Sequence, residues 1–173
     1  MSRMELVELE GDHTESERVE LHDGEQNPFE SAHLGISWED HERRLVIRDD
    51  GRMIACAGLI VAPVEVAGER FDVVGFGGVI VTRTRRGQGL ARRVMEAAIA
   101  RSEELGPQRG LLFCRPDRAG LYAGLGFDTL EVPVEVGQLD DKRAAMPLDT
   151  MWRPLQPGAT WPDGPVSLPG LPF

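Results

Sequence analysis

Arg85-Arg86-Gly87-Gln88-Gly89-Leu90-Ala91 stands between an apolar run, Val73-Val74-Gly75-Phe76-Gly77-Gly78-Val79-Ile80-Val81, and a segment with helical periodicity. In that segment Leu90, Val94, Ala97, Ala98 and Leu105 fall on one face. A strand, a glycine-containing turn and an amphipathic helix over 89–105 are therefore expected in succession. A helix that opens in this way leaves its first amide N–H groups without partners, and its dipole adds positive potential at the same end. Glycines let a ligand approach the backbone closely. The turn suits a phosphate or pyrophosphate, with Arg83, Arg85, Arg86, Arg92 and Arg93 able to add charge. A tight connection flanked by solvated arginines accounts for the same residues without a ligand.

Two common phosphate-binding patterns are excluded. No Gly-Lys-Ser/Thr follows the turn, so it is not a Walker loop. Nor is it a dinucleotide fingerprint, because Arg92 stands where the third glycine of Gly-x-Gly-x-x-Gly belongs and much strand-rich sequence comes first.

Working outward, the upstream chain reads as a strand over 4–10, a helix over 15–22 and a second helix over 37–43 with Ser37 as its N-cap. Strands over 44–48, 53–64 and 71–81 follow, joined at Asp50-Gly51 and at Ala67-Gly68-Glu69, and form an antiparallel set. Downstream come a strand over 110–114, a short helix over 117–125 and strands over 127–136 and 145–154. The Pro- and Gly-rich tail from 154 to 173 is expected to be irregular. The fold class is α+β: a mixed, mostly antiparallel sheet with helices on both faces. It forms one domain over residues 1–153, followed by the tail.

Composition bounds the function. With 173 residues, 41% of them hydrophobic and 28% charged, the chain can fill one core and is too short for two. A net charge of −10 opposes general affinity for nucleic acid or anionic membranes. No apolar stretch is long enough to span a bilayer and no signal-peptide core is visible at the N-terminus, so a cytoplasmic protein is expected. Cys56 and Cys114 sit in apolar segments and read as buried free thiols. His13, His22, His33 and His41 show no metal-ligand spacing and read as surface residues, so no metal site is expected. Acidic residues gather ahead of the core at Glu15, Glu17, Glu20, Asp23, Glu25, Glu30, Glu39, Asp40 and Glu42. They form either a solubilising face or an acidic mouth for a cationic substrate.

Arg86-Gly87-Gln88-Gly89-Leu90-Ala91 resembles the Arg/Gln-x-x-Gly-x-Gly/Ala signature of the GNAT superfamily of N-acetyltransferases. Leu121-Tyr122-Ala123-Gly124-Leu125-Gly126-Phe127 resembles that family's Tyr-x-x-x-Gly-Phe segment, in the right order with one helix and one strand between. The resemblance covers residues 43–153. It implies a GNAT-like fold, acetyl-CoA as the acetyl donor and a small-molecule amine as acceptor. It implies that the backbone of Arg86, Gly87, Gln88, Gly89, Leu90 and Ala91 holds the CoA pyrophosphate and that the strand edge at Val79, Ile80 and Val81 pairs with the pantetheine arm. It also implies that Tyr122, the chain's single tyrosine, is the general acid; a tyrosine merely packed on a short helix is the alternative. A homodimer is compatible with it.

The chain departs from the family pattern at the base. Many relatives carry a glutamate close to where Gly77 or Gly78 stands, and neither glycine takes a proton. Ordered water, or Glu39 or Asp40, remains to serve. Trp38 either anchors its segment to the core or touches substrate, so Trp38, Glu39 and Asp40 form the candidate acceptor side. The order Trp38, His41, hairpin, Arg-Gly-Gln-Gly loop resembles the layout of the aminoglycoside 2'-N-acetyltransferases, which implies a polycationic sugar as acceptor. A non-catalytic module that binds acyl-CoA or a partner is the alternative in a different class.

Overall fold

The computed structural model describes residues 1–26, 28–29 and 32–173. Among these, β1 (Met4–Glu10) precedes α1 (Glu15–His22), and β2 (Arg43–Asp49), β3 (Arg52–Val66) and β4 (Glu69–Val81) follow. Then come α2 (Leu90–Ser102), β5 (Arg109–Cys114) and α3 (Ala119–Ala123). The last elements are β6 (Asp128–Thr129), β7 (Val134–Gly137), β8 (Arg143–Ala145), β9 (Asp149–Pro154) and β10 (Val166–Leu168). All ten strands belong to one mixed, mostly antiparallel sheet. Its parallel pairs are β4 with β5 and β10 with β7.

β3 is long enough to bind two different neighbours along one edge. Its first half pairs with β2, which pairs with β1, while its last residues pair with β10. β4 lies along the other edge. Alternation along the strands then sorts side chains to two faces. Leu45, Ile47, Val74, Phe76 and Leu112 meet Leu90, Val94, Met95, Ala98 and Ile99 of α2. Each large side chain buried there contributes about 1.5–3 kcal/mol. On the opposite face Val46, Met53, Cys56 and Ile80 receive Leu21 of α1. Farther along that face Val73, Leu111, Val134 and Val136 cluster with Val166 and Leu168, which stand beside β7 in the sheet, and with Phe173 of the tail. Helices lie on both faces, as expected from the sequence.

Three sequence expectations are corrected. Residues 37–43 form no helix before β2 begins. Trp38 is the one large apolar residue there, so a helix would have almost nothing to bury. The segment is instead pinned extended: the Ser37 amide donates to Gln138 Oε1 at 2.8 Å, and Gln138 Nε2 donates to the Ser37 carbonyl at 3.1 Å. The strand read over 127–136 splits into β6, which pairs with β9, and β7, which pairs with β8 and β10. Pro133 sits at the break, where its missing N–H cannot join a ladder. The tail is not irregular throughout, because β10 is inserted between β3 and β7.

Several of the acidic residues ahead of the core are spent on the body of the fold, while Glu15, Glu39, Asp40 and Glu42 stay exposed. Glu17 pairs with the buried Arg44 at 2.5 Å, and Glu20 accepts from the Met53 amide at 3.0 Å. Asp23 accepts from the Thr84 hydroxyl at 3.0 Å. Glu30 lies outside the described residues.

Candidate functional site

β4 and β5 pair over three residues only, Val74–Phe76 against Gly110–Leu112. Beyond Phe76 the two strands diverge, and among the described residues the β4 edge from Gly77 to Val81 that faces β5 has no strand partner. A register shift against β3 between Cys56 and Gly58 accompanies the divergence, and Gly78 takes a left-handed conformation with φ 58°. The divergence opens a cavity of about 510 Å³. Its walls include Gly77, Gly78, Val79, Ile80 and Val81 on one side and Phe113, Cys114, Arg118 and Tyr122 on the other.

One end of the cavity is the Arg/Gly turn. Gly89, with φ 75°, is the N-cap of α2 and has no side chain with which to accept from the first-turn amides. A Cβ at Gly87 or at Gly89 would meet nothing within 4 Å, so open space lies beside both glycines. Both glycines have positive φ, which disfavours any other residue. Arg85 and Arg86 line the same end. Arg85 pairs with Asp49 at 2.6 Å, and Arg86 pairs with Glu25 at 2.5 Å and donates to the Val81 carbonyl at 3.1 Å.

Tyr122 stands in the middle, buried on α3 with its ring edge-on to Phe127 at 6.2 Å. Burial, reinforced by the nearby Cys114, pushes its hydroxyl up to about 12. The group is therefore protonated across the neutral range. Burial also pushes the Cys114 thiol up to about 11 and the Cys56 thiol to about 12. Both cysteines are free and buried, as the sequence predicts.

The far end is aromatic. Trp38 packs against Phe113 with ring centroids 6.4 Å apart, and Phe113 packs against Phe173 at 5.3 Å. All three line the cavity. The Glu39 amide donates to the Pro172 carbonyl at 2.7 Å, which ties the Trp38 segment to the tail.

Of the residues expected from the sequence, Val79, Ile80, Val81, Arg86, Gly87, Gly89, Leu90, Ala91, Tyr122 and Trp38 come together around this cavity. Gln88 is absent from the wall; it is exposed and accepts from Arg85 Nε at 3.3 Å. Glu39 and Asp40 are exposed and do not line it. Three histidines read as surface residues, His13, His22 and His41, are half-buried. His13 contacts Arg44 at 2.6 Å, and His41 lines the cavity. Burial lowers the pKa of both. Phe173, Phe113 and Arg118 also line the cavity without having been singled out. Phe173 gives no local signal, since only the long-range course of the tail brings it to β4. For His41 the signal was indirect: unexplained glycines in two neighbouring strands.

Among the described residues no three or more His, Cys, Asp or Glu side chains gather as a metal ion would require. No helix among them is long and apolar enough to cross a membrane.

The family model for the acetyltransferase (GNAT) domain matches residues 22–130, more than half of the chain. The chain belongs to the GNAT acetyltransferases. No match is found among the curated proteins. Solved structures with the same fold include the GNAT family N-acetyltransferase YhbS from Escherichia coli in complex with CoA. It is 20% identical, with a TM-score of 0.58 over 96% of this chain and 89% of that one. A GNAT family acetyltransferase from Brucella melitensis in complex with acetyl-CoA is 17% identical, with a TM-score of 0.56 over 95% and 94% of the two chains. The ribosomal-protein-S18-alanine N-acetyltransferase from Escherichia coli is 16% identical, with a TM-score of 0.54 over 93% and 100%. At these identities the likeness establishes the GNAT fold.

Proposed function

We propose that this GNAT protein transfers an acetyl group from acetyl-CoA to a primary amine on a small, cationic molecule. The observation that carries the reading is the continuity of one cavity: it runs from an uncapped helix N-terminus, along an unpaired strand edge, past a buried tyrosine, to an aromatic end. The first-turn amides of α2 and the backbone of Arg86–Ala91 hold the pyrophosphate, where the dipole favours negative charge. The free β4 edge at Val79–Val81 supplies main-chain partners to the pantetheine amides, as an added strand would. Acetyl-CoA brings the acetyl group as a thioester, activated for transfer.

Tyr122 then donates a proton to the departing sulfur, a role its raised pKa permits because the hydroxyl is intact at neutral pH. The wall of Trp38, Phe113 and Phe173 receives the acceptor. Aromatic faces bury its carbon skeleton and favour a cationic centre nearby. Glu39 and Asp40, exposed beside that wall, add a negative field at its approach. A polycationic aminoglycoside belongs to the acceptor class this arrangement fits.

A panel of amines assayed for release of free CoA from acetyl-CoA tests the reading. Release that depends on the amine, and is strongest for cationic primary amines, is the expected result. Tight acetyl-CoA binding with no release across the panel would identify a non-catalytic acyl-CoA-binding module instead.

A further inference from the structure

We propose that His41 is the general base of this acetyl transfer, taking the proton of the attacking amine at Nε2. The inference rests on the acetyltransferase reading above and supplies the group that Gly77 and Gly78 cannot.

The imidazole lies on a floor of glycines. A Cβ at Gly58 would stand 2.3 Å from His41 Cγ, and one at Gly77 would stand 2.6 Å from Nε2. A Cβ at Gly78 would meet Cε1 at 3.2 Å. Gly58 and Gly77 are register partners across β3 and β4, so both strands are cleared of side chains under one ring. That clearing falls where β4 leaves β5 and the cavity opens. His41 lines the cavity, yet its Nε2 is buried and has no hydrogen-bond partner among the described residues. An orphaned buried nitrogen is costly, and a ring that turns toward the adjoining cavity gains a partner from a ligand group there. The neighbouring carboxylates of Glu39 and Asp40 stay outside the cavity.

The ring is also in the right state. Burial lowers its pKa, so it is neutral at pH 7 and accepts a proton. The charged groups that act on it are Asp12 and Asp40, which favour the imidazolium, and His13, which opposes it. The main-chain end of Phe173 adjoins the same glycine, Gly77. In the reaction the lone pair of the neutral amine bonds to the acetyl carbon, and the surplus N–H proton passes to His41 Nε2. The carbon–sulfur bond breaks with its electron pair on sulfur, which takes the Tyr122 proton. The proton held by His41 returns through solvent to the tyrosinate, restoring both groups with amide and thiol as products.

The test compares wild type, His41→Gln and His41→Ala with acetyl-CoA and an amine that the wild type accepts. The assignment predicts kcat lower by about 10²–10⁴-fold in both variants, the usual worth of a general base. CoA affinity by calorimetry should be unchanged, which also shows that the variants are folded. The acid limb of the wild-type kcat profile, set below the ordinary histidine value, should vanish, and added imidazole should restore turnover to His41→Ala. Variants that keep wild-type kcat, or that lose kcat while keeping the acid limb, overturn the base. A wild type that acetylates no amine overturns the acetyltransferase reading and the base with it.

Discussion

The two ends of the cavity are built on different principles. The turn end comes from one continuous stretch, β4, the turn and α2, whose geometry is set by neighbours in sequence. The aromatic end comes from Trp38 and His41 in an extended segment, Phe113 at the end of β5, and Phe173 in the tail. These meet only because Gln138 pins residue 37, Pro172 binds residue 39, and β10 fits between β3 and β7. A binding surface made by local geometry tolerates change elsewhere in the chain. One assembled from distant pieces is exposed to any change that loosens one of them.

The largest effect expected from that contrast is at the join between the two ends. Tyr122→Phe keeps the ring and its contact with Phe127 while removing the hydroxyl. Turnover should fall about 10²–10⁴-fold, with CoA affinity kept. Steady-state kinetics with matched calorimetry checks this, and near-normal turnover would move the proton donor to another group.

Phe173→Ala probes the assembled end. The ring is buried against Phe113 and over Gly75, so its loss should cost about 3 kcal/mol in denaturant unfolding. It should also raise the KM for the amine while leaving that for acetyl-CoA alone. Equal changes in both constants would show that the two ends are not separable.

A smaller effect follows from the two histidines whose pKa is lowered by burial. As pH falls, the unfolded chain takes up their protons at about 6.5, before the folded protein does. Their contribution is therefore complete above that value and declines as pH drops below it. Thermal unfolding followed from about pH 7 down to pH 5 should show Tm falling, with a shallower fall in the His13→Gln, His41→Gln double variant. An unaltered slope in that variant would assign the acid sensitivity to other groups.

The smallest effect belongs to Glu39 and Asp40, which are exposed and outside the cavity. Their field reaches only about 8–10 Å near physiological ionic strength. Replacing both by their amides should raise the KM for a cationic amine modestly at low salt and leave it unchanged at high salt. A salt-independent change would replace steering by direct contact.

The contrast between the ends also explains what was legible in the sequence. The β2–β3–β4 set, the turn and α2 were readable because alternation, Asp50-Gly51 and a helical stripe are short-range signals. The motif around Tyr122 is local too, and the structure puts that residue on the cavity wall. The extended run 37–42 was not, since the hydrogen bonds of Ser37 and Glu39 go to Gln138 and Pro172, about a hundred residues or more away, and those of Glu42 go to Leu59 and Gly11. β10 is three residues long and takes its place from neighbours rather than from its own pattern. The glycines of β3 and β4 were visible as residues, but the imidazole they accommodate was not.

The central claim is that the backbone around Gly89 holds the phosphates of acetyl-CoA. Calorimetric titration of CoA into wild type and a folded Gly89→Val variant tests it most directly. The branched side chain would fill open space at the N-cap of α2 and strain a residue whose φ is 75°. Wild type should bind CoA tightly, and the variant should lose that binding. Unchanged affinity in Gly89→Val would contradict it.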